Sequence, residues 1–226
     1  MFQKLLVLCT ANRLNVIRTI QFGYVLLTVF FLFATWAIFT SNVAWMHFVY
    51  DVGLLSGKLA TFLFIIVTLP GILGRFGIRH PLITIGIMFR RYTGIGVFLL
   101  GFVHGMTVYS LPMLAAKQLV LPPPLFITFG LTALVLLFPL FLTSNTQSVQ
   151  MLGKNWKRLH SLVYVIFWFI FIHVAMQGEK SVAILIGLAG FLEILSLGYA
   201  FWKKRTQAST TFQSTGTNSS GNVQSP

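Results

Sequence analysis

The sequence predicts an all-α membrane protein, a bundle of six transmembrane helices with both termini cytoplasmic, and three observations carry that prediction. Of 226 residues, 56% are hydrophobic and 8% charged, whereas soluble domains carry about 25% charged residues. Mean hydropathy is +0.85. Six apolar windows approach the ~20 residues needed to cross the hydrocarbon core, and 16 Lys and Arg against 3 Asp and Glu are distributed asymmetrically between them.

The windows run over residues 20–40, 54–73, 88–111, 125–143, 159–176 and 181–202. Pro70, Pro112 and Pro139 fall in or at the ends of these spans, which embedded helices tolerate when neighbours satisfy the freed carbonyls. Pro122-Pro123-Pro124 stiffens the third connection, and Gly94, Gly96, Gly101 and Gly105 let a flat ligand or another helix approach the third span. Residues 1–19 form the N-terminal segment, 20–202 the membrane domain, and 203–226 a tail. From Thr206 on, the tail is rich in Ser, Thr, Gln, Asn and Gly without a charge, a composition expected to stay disordered. Asn12, Arg13, Asn15 and Arg18 interrupt the N-terminus too early for a signal peptide. Cys9 is the only cysteine, so no intrachain disulfide can form.

Alternating the spans sorts the charges. Lys4, Arg13, Arg18, Arg75, Arg79, Arg90, Arg91, Lys154, Lys157, Arg158, Lys203, Lys204 and Arg205 fall on one side, and only Lys58, Lys117 and Lys180 on the other. The positive-inside rule makes the first side cytoplasmic. The net charge of +13 is thereby a topology signal, and a nucleic-acid surface is excluded because so little polar surface exists to build one. Asp51 and Glu179 are assigned to outer loops. Glu193, near the middle of the last span, has no obvious basic partner; protonation, hydrogen bonding within the bundle, or a place beside a proton or quinone path would each accommodate it.

Ionisable groups inside a membrane are costly and are functional candidates by default. Of five histidines, His47 and His80 read as interfacial loop residues. His104 lies deep in the third span, His173 deep in the fifth, and His160 opens the fifth. His104 stands 14 residues beyond Arg90 and His173 stands 13 beyond His160, which at about 1.5 Å per residue places both roughly 20 Å from the cytoplasmic edge. Two neutral imidazoles at one depth, without thiolates or carboxylates beside them, suit axial ligation of a haem iron better than zinc or copper. Two histidines hydrogen-bonding neighbouring helices satisfy the same pattern. Arg90 and His104 share a helix face, but at ~100° per residue His160 and His173 diverge by roughly 140°, so a stack of two haems needs a tightened turn or cofactors approaching that helix from different sides. Phe98, Phe102, Phe167, Phe169 and Phe171 offer a dry aromatic shell.

The run Leu142-Thr143-Ser144-Asn145, then Leu152-Gly153-Lys154-Asn155-Trp156-Lys157-Arg158-Leu159-His160-Ser161-Leu162-Val163-Tyr164 and on to His173, resembles the ferric-reductase-type transmembrane domain. Within it, the sequence is most similar to the haem-binding membrane subunits of periplasmic methionine-sulfoxide reductase systems. Arg90-Arg91-Tyr92-Thr93-Gly94 leading to His104 matches the third helix of that family, and the resemblance covers residues 51–177. It implies six helices, one or two b-type haems held by His104, His160 and His173, and electrons moving outward. The donor would be a cytoplasmic flavin reductase (bringing flavin through a partner) or a quinol, and the acceptor a periplasmic oxidoreductase. The wider superfamily places a second histidine where Arg90 stands. Arg90 could therefore pair with a haem propionate, sit near the iron, or serve topology alone. The expectation is an electron-transfer subunit of the inner membrane rather than a complete enzyme. The competing readings are a stand-alone ferric reductase, a metal-ion transporter and a cofactor-free membrane anchor.

Overall fold

The computed structural model describes residues 1–118 and 122–217, with side chains described as far as Gln207. Among the described residues the chain is helical, with no strand. The short helix α1 (Phe2–Ala11) precedes α2 (Arg13–Phe39), α3 (Val43–Arg75) and α4 (Pro81–Gly105). A π-helical turn, Met106–Ser110, joins α4 to α5 (Leu111–Ala115). Then follow α6 (Leu125–Leu142), two seven-residue helices α7 (Thr146–Leu152) and α8 (Lys154–His160), α9 (Val163–Met176) and α10 (Lys180–Thr217). Six stretches are long and apolar enough to cross a membrane: Arg13–Phe39, Val43–Arg75, Pro81–Ala115, Leu125–Leu142, Lys154–Met176 and Lys180–Gln207. They correspond one to one with the six apolar windows, and the chain is a multi-pass membrane protein.

The helices outrun the windows, because hydropathy marks the hydrocarbon core whereas the backbone ladder continues until a cap or proline stops it. Asn42 precedes α3 in an extended conformation, and Pro81 opens α4 with the His80 ring nitrogen accepting from the Leu82 N–H. His47 and Asp51 consequently lie on α3, not in a loop, although both are exposed as expected. His80 does lie at a loop end. At the C-terminus the helical backbone continues through Thr217, into the segment whose composition suggests no fold; the expectation for residues 218–226 falls outside the described residues.

The core is built where α3, α4, α6, α9 and α10 meet. Phe64, Val97, Phe98, Ala133, Leu137, Leu140, Ile166, Phe167, Ile186 and Ala189 are buried together, while most other apolar side chains face outward, as a lipid solvent allows. Phe98 stacks on Phe141 at 4.4 Å and Phe64 meets Phe167 edge-on at 4.7 Å. Polar ties are few. The Tyr24 hydroxyl of α2 donates to the Tyr92 carbonyl of α4.

The strongest tie corrects the reading of Glu193 as lacking a basic partner. Arg75, at the end of α3, forms an ion pair with the buried Glu193 carboxylate of α10, donates to Ser196 Oγ at 2.9 Å and reaches the Tyr164 hydroxyl of α9 at 3.3 Å. One guanidinium thus joins three helices. Its partner is 118 residues away, beyond the range of any local pattern. Removing one member of a buried pair leaves the other charge uncompensated, at a cost of about 3 kcal/mol. Arg75→Ala should therefore lower the detergent-solubilised melting temperature markedly, whereas Arg75→Leu with Glu193→Leu should recover most of the loss; equal melting of the single and double variants would contradict the assignment.

The paired-histidine cavity

His104 and His173 approach each other across the bundle, with ring centroids 6.2 Å apart and planes at 71°. Each ring is oriented by the backbone of a third helix. His104 Nδ1 donates to the Gly53 carbonyl of α3 at 3.0 Å, and His173 Nδ1 donates to the Phe126 carbonyl of α6 at 2.7 Å. A carbonyl oxygen only accepts, so each neutral imidazole carries its proton on Nδ1 and keeps its lone pair on Nε2, and that of His173 faces the Gln177 amide nitrogen at 3.4 Å. This is the arrangement of metal-binding histidines, whose outer nitrogen is held by a carbonyl or carboxylate.

Two glycines permit the approach. A Cβ at Gly57 would lie 2.7 Å from His104 Nδ1, and one at Gly130 would lie 2.8 Å from His173 Cε1 and Nδ1. Any side chain there would collide with the imidazole. The π-helical turn begins two residues after His104. Such turns recur at functional sites.

The rings line a cavity of about 550 Å³ between α3, α4, α6 and α9, with Gly57, Gly101, Gly105 and Gly130 among its walls. That volume falls within the ~300–1,000 Å³ of cofactor and ligand sites. The aromatic side chains lining it are Tyr50, Tyr109 and Phe126. The five phenylalanines expected to form a shell do not line it; Phe98 and Phe102, for instance, stack on each other at 6.0 Å. Beside the histidines, Phe126 lies parallel to the His173 ring at 6.3 Å, and much of the remaining wall is glycine and aliphatic, which leaves room for a flat occupant.

His160 lies apart from this pair. It ends α8, stacks on Trp156 with centroids 3.9 Å apart, and directs Nδ1 at the Trp156 carbonyl at 3.2 Å. Trp156 Nε1 in turn donates to the Thr143 carbonyl at 3.0 Å. The chain turns at Ser161 and Leu162 before α9 begins, so the 13-residue count from His160 to His173 does not run along one helix. The divergence of roughly 140° expected of one ideal helix therefore does not apply to this pair. Arg90 lies on α4, with its guanidinium 3.9 Å from where a Cβ at Gly71 of α3 would stand.

Among the described residues, no group of three or more His, Cys, Asp and Glu is placed to hold a metal ion. Structural zinc takes four such ligands and catalytic zinc three, so the donor set does not fit a bare zinc site. Two neutral imidazoles facing one cavity, without thiolate or carboxylate ligands, are a donor set that would suit haem iron. A transporter would need a polar path, but the lining is apolar apart from Thr61, two tyrosines, the histidines and a polar rim of Lys58, Gln177 and Glu179. Lys58 and Gln177 belong to this site and were not singled out from sequence. Lys58 was detectable as one of three cations breaking the charge asymmetry; Gln177 carries no sequence signal.

The fold and cavity define a six-helix membrane protein with a paired-imidazole site between its helices. Residues 53–171, just over half the chain, match the family model described as ferric reductase like transmembrane component, and the chain belongs to that family. It is similar to proteins named protein-methionine-sulfoxide reductase heme-binding subunit MsrQ. That of Rhizobium meliloti (strain 1021) is 40% identical over 96 residues, covering 39% of this chain and 43% of the relative. That of Brucella anthropi is 44% identical over 72 residues, covering 32% and 33%. That of Xanthomonas campestris pv. campestris (strain 8004) is 34% identical over 131 residues, covering 55% and 58%. The chain thus spans between 33% and 58% of the length of these relatives. No solved structure matches it.

Two outcomes follow from this geometry. In isotope-labelled protein, the nitrogen resonances of His104 and His173 should show Nδ1 protonated and Nε2 bare; a proton on Nε2 of either would contradict the hydrogen bonds described. Gly130→Ala should displace the His173 ring and cost about 1–3 kcal/mol of stability, typical of an overpacked core, read as a lowered melting temperature.

Proposed function

We propose that this protein is a b-type haem electron carrier of the inner membrane, moving electrons from a cytoplasmic-side donor to an outer-side acceptor. The single observation that carries the reading is the His104–His173 pair at 6.2 Å, each ring with Nδ1 on a backbone carbonyl. The relatives' description as heme-binding subunits supports it. In this reading His104 and His173 would hold an outer haem through Nε2, once Gln177 gives way at His173, with both rings held against rotation by their Nδ1 contacts. His160 serves an inner haem, with Arg90 nearby as a counter-charge for its propionates or a group near the iron. Bound haem would supply a one-electron couple; the apolar walls keep water from that couple, and the glycines give it a close fit.

Orientation comes from the charges. With the thirteen positive residues inside, both termini and the residue 1–19 segment are cytoplasmic, His160 and Arg90 lie near the inner face, and His104 and His173 near the outer one. Electron transfer needs no general acid, in keeping with a chain holding 3 carboxylate side chains. The donor is a flavin reductase or a quinol. The acceptor is a periplasmic methionine-sulfoxide reductase, the partner suggested by the names of the relatives, and the chain acts as its membrane subunit.

Purified protein expressed with haem supplied should give b-type bands in a dithionite-reduced minus oxidised spectrum. His104→Ala and His173→Ala should each remove the outer component, and His160→Ala only an inner one. A spectrum without b-type bands sinks the proposal.

A further inference from the structure

We propose that Lys58 anchors the propionate edge of the cofactor in the paired-histidine cavity, and that Glu179 holds the Lys58 ammonium until the cofactor arrives. This rests on the haem reading above and extends it to the residue that fixes which way the macrocycle enters. Gly57 faces the His104 ring directly, so Lys58, the next residue on α3, is rooted at the depth of the axial ligands. A lysine there is costly in hydrocarbon unless its ammonium reaches the interface or a counter-charge. It does so by extending to the α9–α10 connection, where Nζ pairs with Glu179 Oε1 at 2.8 Å.

Among the described residues Lys58 and Glu179 are the only charged ones lining the cavity, histidines aside, and each side chain is about half exposed, at 49% and 46%. They form its rim, next to Gln177. Two of the rim's polar contacts occupy atoms that a cofactor would use. Gln177 Nε2 lies 3.4 Å from His173 Nε2, the nitrogen left for iron, and the Glu179 carboxylate occupies Lys58 Nζ. A macrocycle bearing two carboxylates and seated between the histidines would bring an equivalent anion to that ammonium. The topology accounts for thirteen cations but not for Lys58, which lies on the sparsely charged side; a cofactor carboxylate gives it a role there.

The test compares protoporphyrin IX haem with its dimethyl ester, which lacks both carboxylate charges, by timing release from the loaded full-length protein to excess apomyoglobin. An exposed ion pair contributes up to about 1 kcal/mol, or about fivefold in a rate. Wild-type protein should release the diester about fivefold faster than haem. Lys58→Gln should release haem about fivefold faster than wild type but release the diester at the wild-type rate, and Lys58→Arg should behave as wild type. Glu179→Gln, which frees Lys58, should hold haem at least as well as wild type. Equal release of haem and diester by wild type overturns the proposal without recourse to any variant. So does Glu179→Gln releasing haem as fast as Lys58→Gln, because the ion pair would then be a structural clasp. If wild-type protein takes up neither porphyrin, the haem reading itself fails and this assignment with it.

Discussion

The distance between His104 and His173 depends on two glycines and two carbonyls, and most of the rest of the site follows from that constraint. Inside a bilayer each polar group must find its partner within the protein. An imidazole on a membrane helix can be satisfied only if another backbone comes close enough to receive its N–H. Gly57 and Gly130 allow α3 and α6 to lie directly against the two rings, and the carbonyls of Gly53 and Phe126, each four residues earlier, accept the Nδ1 protons. Satisfying one nitrogen of each ring fixes the tautomer and so releases the other as a ligand.

The polar chemistry is segregated along the bundle. On one side of the histidine cavity stand Lys58, Gln177 and Glu179; toward the opposite end of the helices stand Arg75, Tyr164, Glu193 and Ser196, with His160 and Arg90 nearby. Between them lies an apolar core of Phe64, Phe98, Phe167 and their neighbours. This division leaves a dry centre between two polar ends, and the hydrophobic shell around a site controls its dielectric and its access to solvent. The Arg75 cluster is a tie among α3, α9 and α10. The Lys58–Glu179 pair is half exposed and can exchange partners.

Much of this was legible along the chain. Hydropathy located all six spans, because a 30 Å hydrocarbon layer imposes a length that composition reveals directly. The three embedded histidines stood out against an apolar background, and residue counts brought His104 and His173 to one depth even though the second count crosses the turn at residues 161–162. Aromatic content misled: the phenylalanines near the histidines in sequence pack on other aromatic side chains away from the cavity, since side chains adjacent along a helix point to different faces. Helix ends were misplaced for a different reason, because hydropathy marks only the hydrocarbon layer: His47 and Asp51 lie on a helix that outlasts its apolar stretch.

The sequence by itself determined the solvent, the number of spans, the asymmetry of positive charge and the identity of the few ionisable groups within the bundle. These follow from composition and from periods along a single helix. Only the tertiary structure decided which groups meet. The break after His160 that separates it from the α9 helix, the pairing of Arg75 with Glu193 across 118 residues, the lysine at the cavity rim and the carbonyls that set both imidazole tautomers all depend on contacts between helices. Such contacts are chosen by packing and by the need to satisfy every polar group away from water, and neither requirement leaves a period in the sequence.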